Sequence, residues 1–227
     1  MEKKVILKRK FKTISIILFI IIVFLVYLAI KLFLNIKIQN IYVLNNHYLS
    51  DDYILEKSGL IEYPSYFKNI SFLLEDKLEK DAFIKKANVT KNFFGVINID
   101  VTENNIIFYK ESDGKYVLED GKEVSSIPYD ISTIRIVNYI PDTVYDNFIK
   151  KILKLNEEVK NKISEIKYDP SEYDNSRFMI YMVDGNYVYV TLTKFESLNY
   201  YNEIYPTLEG KKGILYLDSG NHFVEIK

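Results

Sequence analysis

Residues 14 to 30, ISIILFIIIVFLVYLAI, form an unbroken apolar run that constrains everything downstream of it. A helix needs about 20 apolar residues, at ~1.5 Å each, to cross roughly 30 Å of hydrocarbon. The run reaches that length once Thr13 and the Leu32-Phe33-Leu34 extension are counted, and Lys31 can snorkel to the headgroups. A cleaved signal peptide has a shorter apolar core, of ~7 to 15 residues, ending in a small-x-small site. Here only Ala29 is small near the end. An uncleaved anchor over residues 13–34 is expected, with the lipid bilayer as its partner. Lys3, Lys4, Lys8, Arg9, Lys10 and Lys12 lie directly before it, against Lys31 and Lys37 after it. The positive-inside rule makes residues 1–12 a cytoplasmic stub and puts everything from about Asn35 outside, as in a single-pass type II protein.

Composition narrows what the exported part can do. Residues 35–227 carry 30 acidic and 23 basic residues, a net charge near −7 that leaves no broad basic face for nucleic acid. The chain has no cysteine, hence no disulfide framework, thiol nucleophile or Cys-based zinc site. The two histidines, His47 and His222, stand beside predicted turns without a Ser-x-Gly elbow or an acidic metal-ligand pattern. Phosphate-cradling and dinucleotide-binding Gly-rich loops are also missing from the sequence. No catalytic residue, metal ligand, cofactor or small-molecule substrate is therefore expected. A carboxylate pair such as Asp169 and Glu172 could in principle work on a glycan, but solvation at the surface is the simpler account.

The exported part reads as α+β. A strand over 38–45 precedes a helix that starts at Ser50, with Asp51 and Asp52 in its first turn, Leu49 stapled to Ile54, and Gly59 at its end. A second helix over 71–81 carries Phe72, Leu74 and Leu78 on its buried side, and strands over 84–91 and 96–101 follow. Beyond these lie strands at 115–118 and 133–137. A long helix begins at Pro141-Asp142-Thr143, with Val144, Phe148, Ile152, Leu155, Val159 and Ile163 as its core stripe. A hairpin turns at Asp184-Gly185-Asn186, a short helix covers about 194–205, and a last hairpin joins 213–217 to 222–226. Twenty tyrosines, with Tyr181, Tyr187, Tyr189, Tyr200, Tyr201, Tyr205 and Tyr216 gathered in the last third, suit either strand formation or an interface.

A spaced pattern runs through the first half. It comprises Ile41-x-Val43, Asn45-Asn46, Ser50, Ile54, Ser58-Gly59-Leu60, Asn69-Ile70, Leu78, Phe83-Ile84-Lys85-Lys86-Ala87-x-Val89 and Ile97-x-Ile99-x-Val101-Thr102-Glu103. In order and spacing it resembles the POTRA module of the FtsQ/DivIB cell-division proteins, and Leu215-Tyr216-Leu217-Asp218-Ser219-Gly220 is similar to that family's terminal hairpin. The chain departs from the family's usual residues at Asn45, Ala82, Phe94 and Asn105, where Gly or Pro is common. The resemblance implies a POTRA domain over 38–108 and a mixed β-domain with packed helices over 109–227. It also implies a non-enzymatic divisome scaffold at the septum. The implied partners are bitopic proteins like FtsB/DivIC and FtsL, and septal peptidoglycan synthase components.

Partner capture would proceed by strand addition at the C-terminal hairpin, with Ile214, Tyr216, Leu217, Phe223 and Val224 as contact residues, although the same hairpin could simply close the core. Glu103, taken as outward-facing, could mark a second contact surface or serve in a turn or ion pair. Two other readings compete. A membrane-anchored cell-wall enzyme lacks nucleophile, metal and triad patterns, and a POTRA-type chaperone or translocation component would need a β-barrel region that does not fit after Val124.

Overall fold

The computed structural model describes residues 2–92 and 94–226, with side chains described from Ile14 onward. The six basic residues on which the orientation rule rests are among the side chains outside the described set. Helix α1 (Glu2–Leu34) contains a stretch, Ile14–Leu34, long and apolar enough to cross a membrane, and none of it is buried against the rest of the protein. The chain divides into two compact units, 1–103 and 104–227.

In the first unit, strand β1 (Asn40–Leu44) is followed by helices α2 (Asp51–Ser58) and α3 (Ser71–Leu78). Strands β2 (Ile84–Lys91) and β3 (Val96–Glu103) complete it. The order in the sheet is β1-β3-β2, with β1 parallel and β2 antiparallel to the central β3. Local chemistry sets the helix ends as the sequence suggests. The Ser50 side chain accepts the Tyr53 N–H, and Gly59 closes α2 in the left-handed region at φ 78°. Ile54, Leu74, Leu78, Ile97, Ile99 and Val101 form the core between the helices and one sheet face. Phe72 does not belong to it. α3 ends at Leu78 rather than 81, and Phe72 is 70% exposed, because only Leu74 and Leu78, one turn apart, point at the sheet.

The second unit is built on a nine-stranded sheet, β12-β11-β10-β9-β8-β7-β4-β5-β6. It uses β4 (Ile106–Lys110), β5 (Lys115–Leu118), β6 (Glu123–Val124), β7 (Ile134–Ile136) and β8 (Ile163–Tyr168). The remaining strands are β9 (Arg177–Met182), β10 (Tyr187–Thr191), β11 (Gly213–Tyr216) and β12 (His222–Glu225). Since β4 pairs with β5 and β7, residues 104–108 fall in the second unit and not in a first domain extending to 108. The expected long helix is two, α4 (Asp142–Ile152) and α5 (Glu157–Lys160). The break comes at Asn156, whose backbone N–H donates to Asn199 Oδ1 at 2.8 Å, and Ile163 already belongs to β8. All six stripe residues are nevertheless buried, because the bend keeps them on one side of the sheet. They join Phe178, Ile180, Val188, Val190, Phe195 and Leu215 in one core, in which the Phe148 and Phe178 rings stack 5.0 Å apart.

Candidate protein interface

Alternation along the strands of the second sheet gives it two unlike faces. Phe178, Ile180 and Met182 of β9, Val188 and Val190 of β10, and Leu215 of β11 are buried in the core. The intervening residues fall into two cross-strand rows on the opposite face. One row runs Glu165, Tyr181, Tyr187, Ile214, Val224, and the other Lys167, Met179, Tyr189, Tyr216, His222. The rings are ordered by their neighbours. Tyr181 meets Tyr187 edge-on at 5.3 Å, Tyr189 stacks on Tyr216 at 5.4 Å, and Tyr216 stacks on His222 at 4.8 Å. The Arg177 guanidinium sits 4.5 Å over the Tyr189 ring and is itself held by Asp169 at 3.0 Å. Burial, reinforced by the Asp169 charge, pushes the Tyr189 hydroxyl above its ordinary pKa, so it stays neutral and able to donate.

β12 is the outermost strand, paired with β11 on one side only. The Ile226 N–H donates inward to Lys212 O at 3.0 Å. In an antiparallel ladder amides alternate in direction, so those of Phe223 and Glu225 point to the free side. β11 and β12 are held close by Gly213, where an added Cβ would collide with the Val224 carbonyl oxygen and stand 2.7 Å from the Phe223 ring. The β9–β10 turn supports them. Buried Asn186 accepts the Gly213 N–H through Oδ1 at 3.0 Å and donates from Nδ2 to the Tyr201 hydroxyl at 3.2 Å; that hydroxyl in turn donates to Asp184 at 2.7 Å. Tyr201 is thus fully buried, and burial followed by the Asp184 bond raises its pKa.

The residues singled out from the sequence have unequal positions. Ile214 and Tyr216 are half-buried on the aromatic face, and Val224 is exposed beside them. Phe223 packs against the core side, and Leu217 is only 2% exposed, so neither offers a free side chain. Glu103 is not outward-facing. It is 8% exposed, and its carboxylate accepts the backbone N–H groups of His47 (3.0 Å), Tyr48 (3.1 Å) and Leu49 (2.8 Å), clamping the loop before α2. Met179, Tyr181, Tyr187 and Tyr189 belong to the same face as Tyr216. Their spacing, Met179-x-Tyr181 and Tyr187-x-Tyr189, was the available signal.

The chemistry of an active centre is thin elsewhere. Among the described residues, no group of three or more His, Asp or Glu side chains could hold a metal ion. The Asp169 carboxylate is engaged by Arg177 and by Lys167 at 3.2 Å. A groove of about 910 Å³ beside α4 is lined by Lys150, Lys151 and Lys154, and Glu196 bridges the last two.

The family model for the FtsQ-type POTRA domain matches residues 36–104. The cell division protein DivIB of Bacillus anthracis is 31% identical over 216 residues, covering 92% of this chain and 80% of that protein. The DivIB of Listeria monocytogenes is 31% identical, covering 82% and 72%, and that of Bacillus subtilis is 31% identical, covering 91% and 80%. A solved structure, the major extracytoplasmic domain of the trans isomer of DivIB from Geobacillus stearothermophilus, aligns with a TM-score of 0.38 at 23% identity. It covers 48% of this chain and 96% of that one.

Proposed function

We propose a scaffold role for this chain, which belongs to the DivIB family of cell-division proteins and carries an FtsQ-type POTRA domain. It is a membrane-anchored division protein with an N-terminal apolar helix. In the proposed role it performs no catalysis. It stands at the septum with residues 1–12 in the cytoplasm, and holds bitopic partners resembling FtsB/DivIC and FtsL together with septal peptidoglycan synthase components.

The binding mode we propose is addition of a partner strand to β12. The observation that carries it is the outermost position of β12, with the Phe223 and Glu225 amides directed away from β11. Main-chain bonds would supply the affinity. Selectivity would come from side chains alternating over Val224, Ile214 and Tyr216, and the negative charge of the exported part favours a partner strand with basic flanks.

The test is capture of the DivIC-like and FtsL-like proteins of the same organism by the full chain in detergent. Glu225→Pro removes one outward N–H and no bond to β11, a substitution that edge strands tolerate. Capture should weaken about tenfold, the equivalent of roughly 1.4 kcal/mol. Unchanged capture by Glu225→Pro with an intact circular dichroism spectrum would rule out strand addition at this edge.

A further inference from the structure

The first unit has an exposed apolar rim at one end, and the contacts of the chain leaving α1 fix which end that is. Phe33, in the last turns of α1, stacks on Phe67 at 3.7 Å, and the Leu34 carbonyl oxygen accepts the Ser65 hydroxyl. The Tyr66 N–H donates to Ile36 O at 2.8 Å, the Ile38 N–H to Pro64 O at 3.0 Å, and the Gln39 N–H to Gly95 O at 2.9 Å. The loop between α2 and α3 and the β2–β3 turn are therefore level with residues 33–39, where the apolar span ends.

Side chains at this level are apolar and point outward. Phe94, in the β2–β3 turn, is 83% exposed. Ile61, Tyr63, Ile70, Phe72 and Leu73, in the loop and the first turn of α3, are exposed as well. The start of α3 lies at this same end, because Lys91, the last residue of β2, donates through Nζ to Asn69 O at 2.7 Å. Exposed apolar residues scattered singly need no explanation, but a cluster at one end of a unit marks a contact surface. Lys37 and Lys68 lie among them, with Glu62 as the acidic residue of the same loop.

We propose that this rim is a second membrane contact. On this reading Phe94, Phe72, Leu73 and Ile70 enter the headgroup and upper acyl region of the outer leaflet around the exit of α1, and Lys37 and Lys68 face anionic headgroups. The occupant is lipid because the rim is continuous with the span. Side chains held beside Phe33 and Leu34 are at the depth where interfacial aromatic and apolar groups bury by about 5–10 Å. The contact would fix the tilt of the first unit on the membrane, which a single helix leaves free. The inference rests on the reading of Ile14–Leu34 as a membrane span.

The chain contains no tryptophan, so one introduced Trp reports from one place. The full chain is reconstituted into phosphatidylglycerol-containing vesicles, with and without lipids brominated on their acyl chains, as Phe94→Trp, Phe72→Trp, Tyr48→Trp and Phe24→Trp. Phe24 lies within the span and tests insertion. Tyr48 lies past the far end of β1, its amide bound to Glu103, and serves as the remote site. The expected result is blue-shifted emission and bromine quenching for Phe94→Trp and Phe72→Trp, between full quenching at Phe24→Trp and none at Tyr48→Trp. If Phe24→Trp is quenched while both rim reporters emit like Tyr48→Trp, the rim contact is wrong and the span stands. If Phe24→Trp is itself unquenched, both the span and the contact built on it fall. Blue-shifted rim emission without quenching would mean that protein covers the rim, and would also overturn the assignment to lipid.

Discussion

Glu103 shows how two rules can oppose each other at a single residue. Its charge argues for the outside, while its register on β3, two residues after buried Val101, argues for the core face. Register prevails because three backbone N–H groups from His47, Tyr48 and Leu49 replace the lost water. Glu103→Ala orphans those donors and should destabilise the first unit by about 2–3 kcal/mol, with Glu103→Gln intermediate, in chemical denaturation of the full chain. Equal stability of the alanine variant would show that the loop finds other acceptors. The caps at Ser50 and Gly59 were legible because capping involves residues only a few positions apart. The partner of Glu103 lies more than fifty positions away, and no local pattern announces it.

Sheet edges decide what the elements can do. β2 is an edge strand, yet two of its amides are already taken, since Val89 N–H donates to Glu75 at 2.7 Å and Ala87 N–H to Glu79 at 3.0 Å. Helix α3 thus covers the edge with carboxylates, a way of blunting unwanted strand pairing. Replacing both, Glu75→Ala with Glu79→Ala, should expose that edge and raise concentration-dependent self-association in cross-linking of the detergent-solubilised chain. A chain that stays monomeric would show that α3 shields the edge by bulk alone. No residue-type rule distinguishes Glu75 and Glu79 from solvated helix carboxylates, so this role was invisible in the sequence. The apolar stripe from Val144 to Ile163 was legible as core, but the bend within it was not, because Asn156 is turned by a contact with Asn199.

At the scale of the whole molecule, periodicity and turn residues point to most of the elements but not to β4, β6 or β8, and not to the order of strands in the sheets. Hairpins such as β9–β10 and β11–β12 are sequence-local, whereas the parallel β10–β11 and β4–β7 pairs depend on crossovers. Charge distribution gives the molecule a pH response. In the second unit, hydrogen bonds from Lys110 and Lys115 hold the Glu123 carboxyl below its usual range. Asp113 is lowered too: burial pushes it up, but the hydrogen bonds from Lys110 and Ser112 together with the Lys110 and Lys115 charges prevail. A pKa lower in the folded than in the unfolded state favours folding above the ordinary carboxylate range, and this gain is lost as pH falls through the folded value. The thermal midpoint of the full chain should therefore fall as pH drops below about 4. Glu123→Gln should be less stable than the parent at neutral pH, and the gap should close in acid. A gap that persists in acid would assign the effect of Glu123 to packing.

The parallel pairing of β1 with β3 also bears on biogenesis. Asn40 is paired with Val96, so in the orientation proposed above β1 follows the anchor directly but would have no strand to join until β3 had been synthesised and exported. On that orientation the module would be unable to complete its sheet while still threading. A translocation channel that passes only extended chains would meet no folded obstacle here, and a chaperone on the far side would find β1 unpaired for as long as the next fifty or so residues take to arrive.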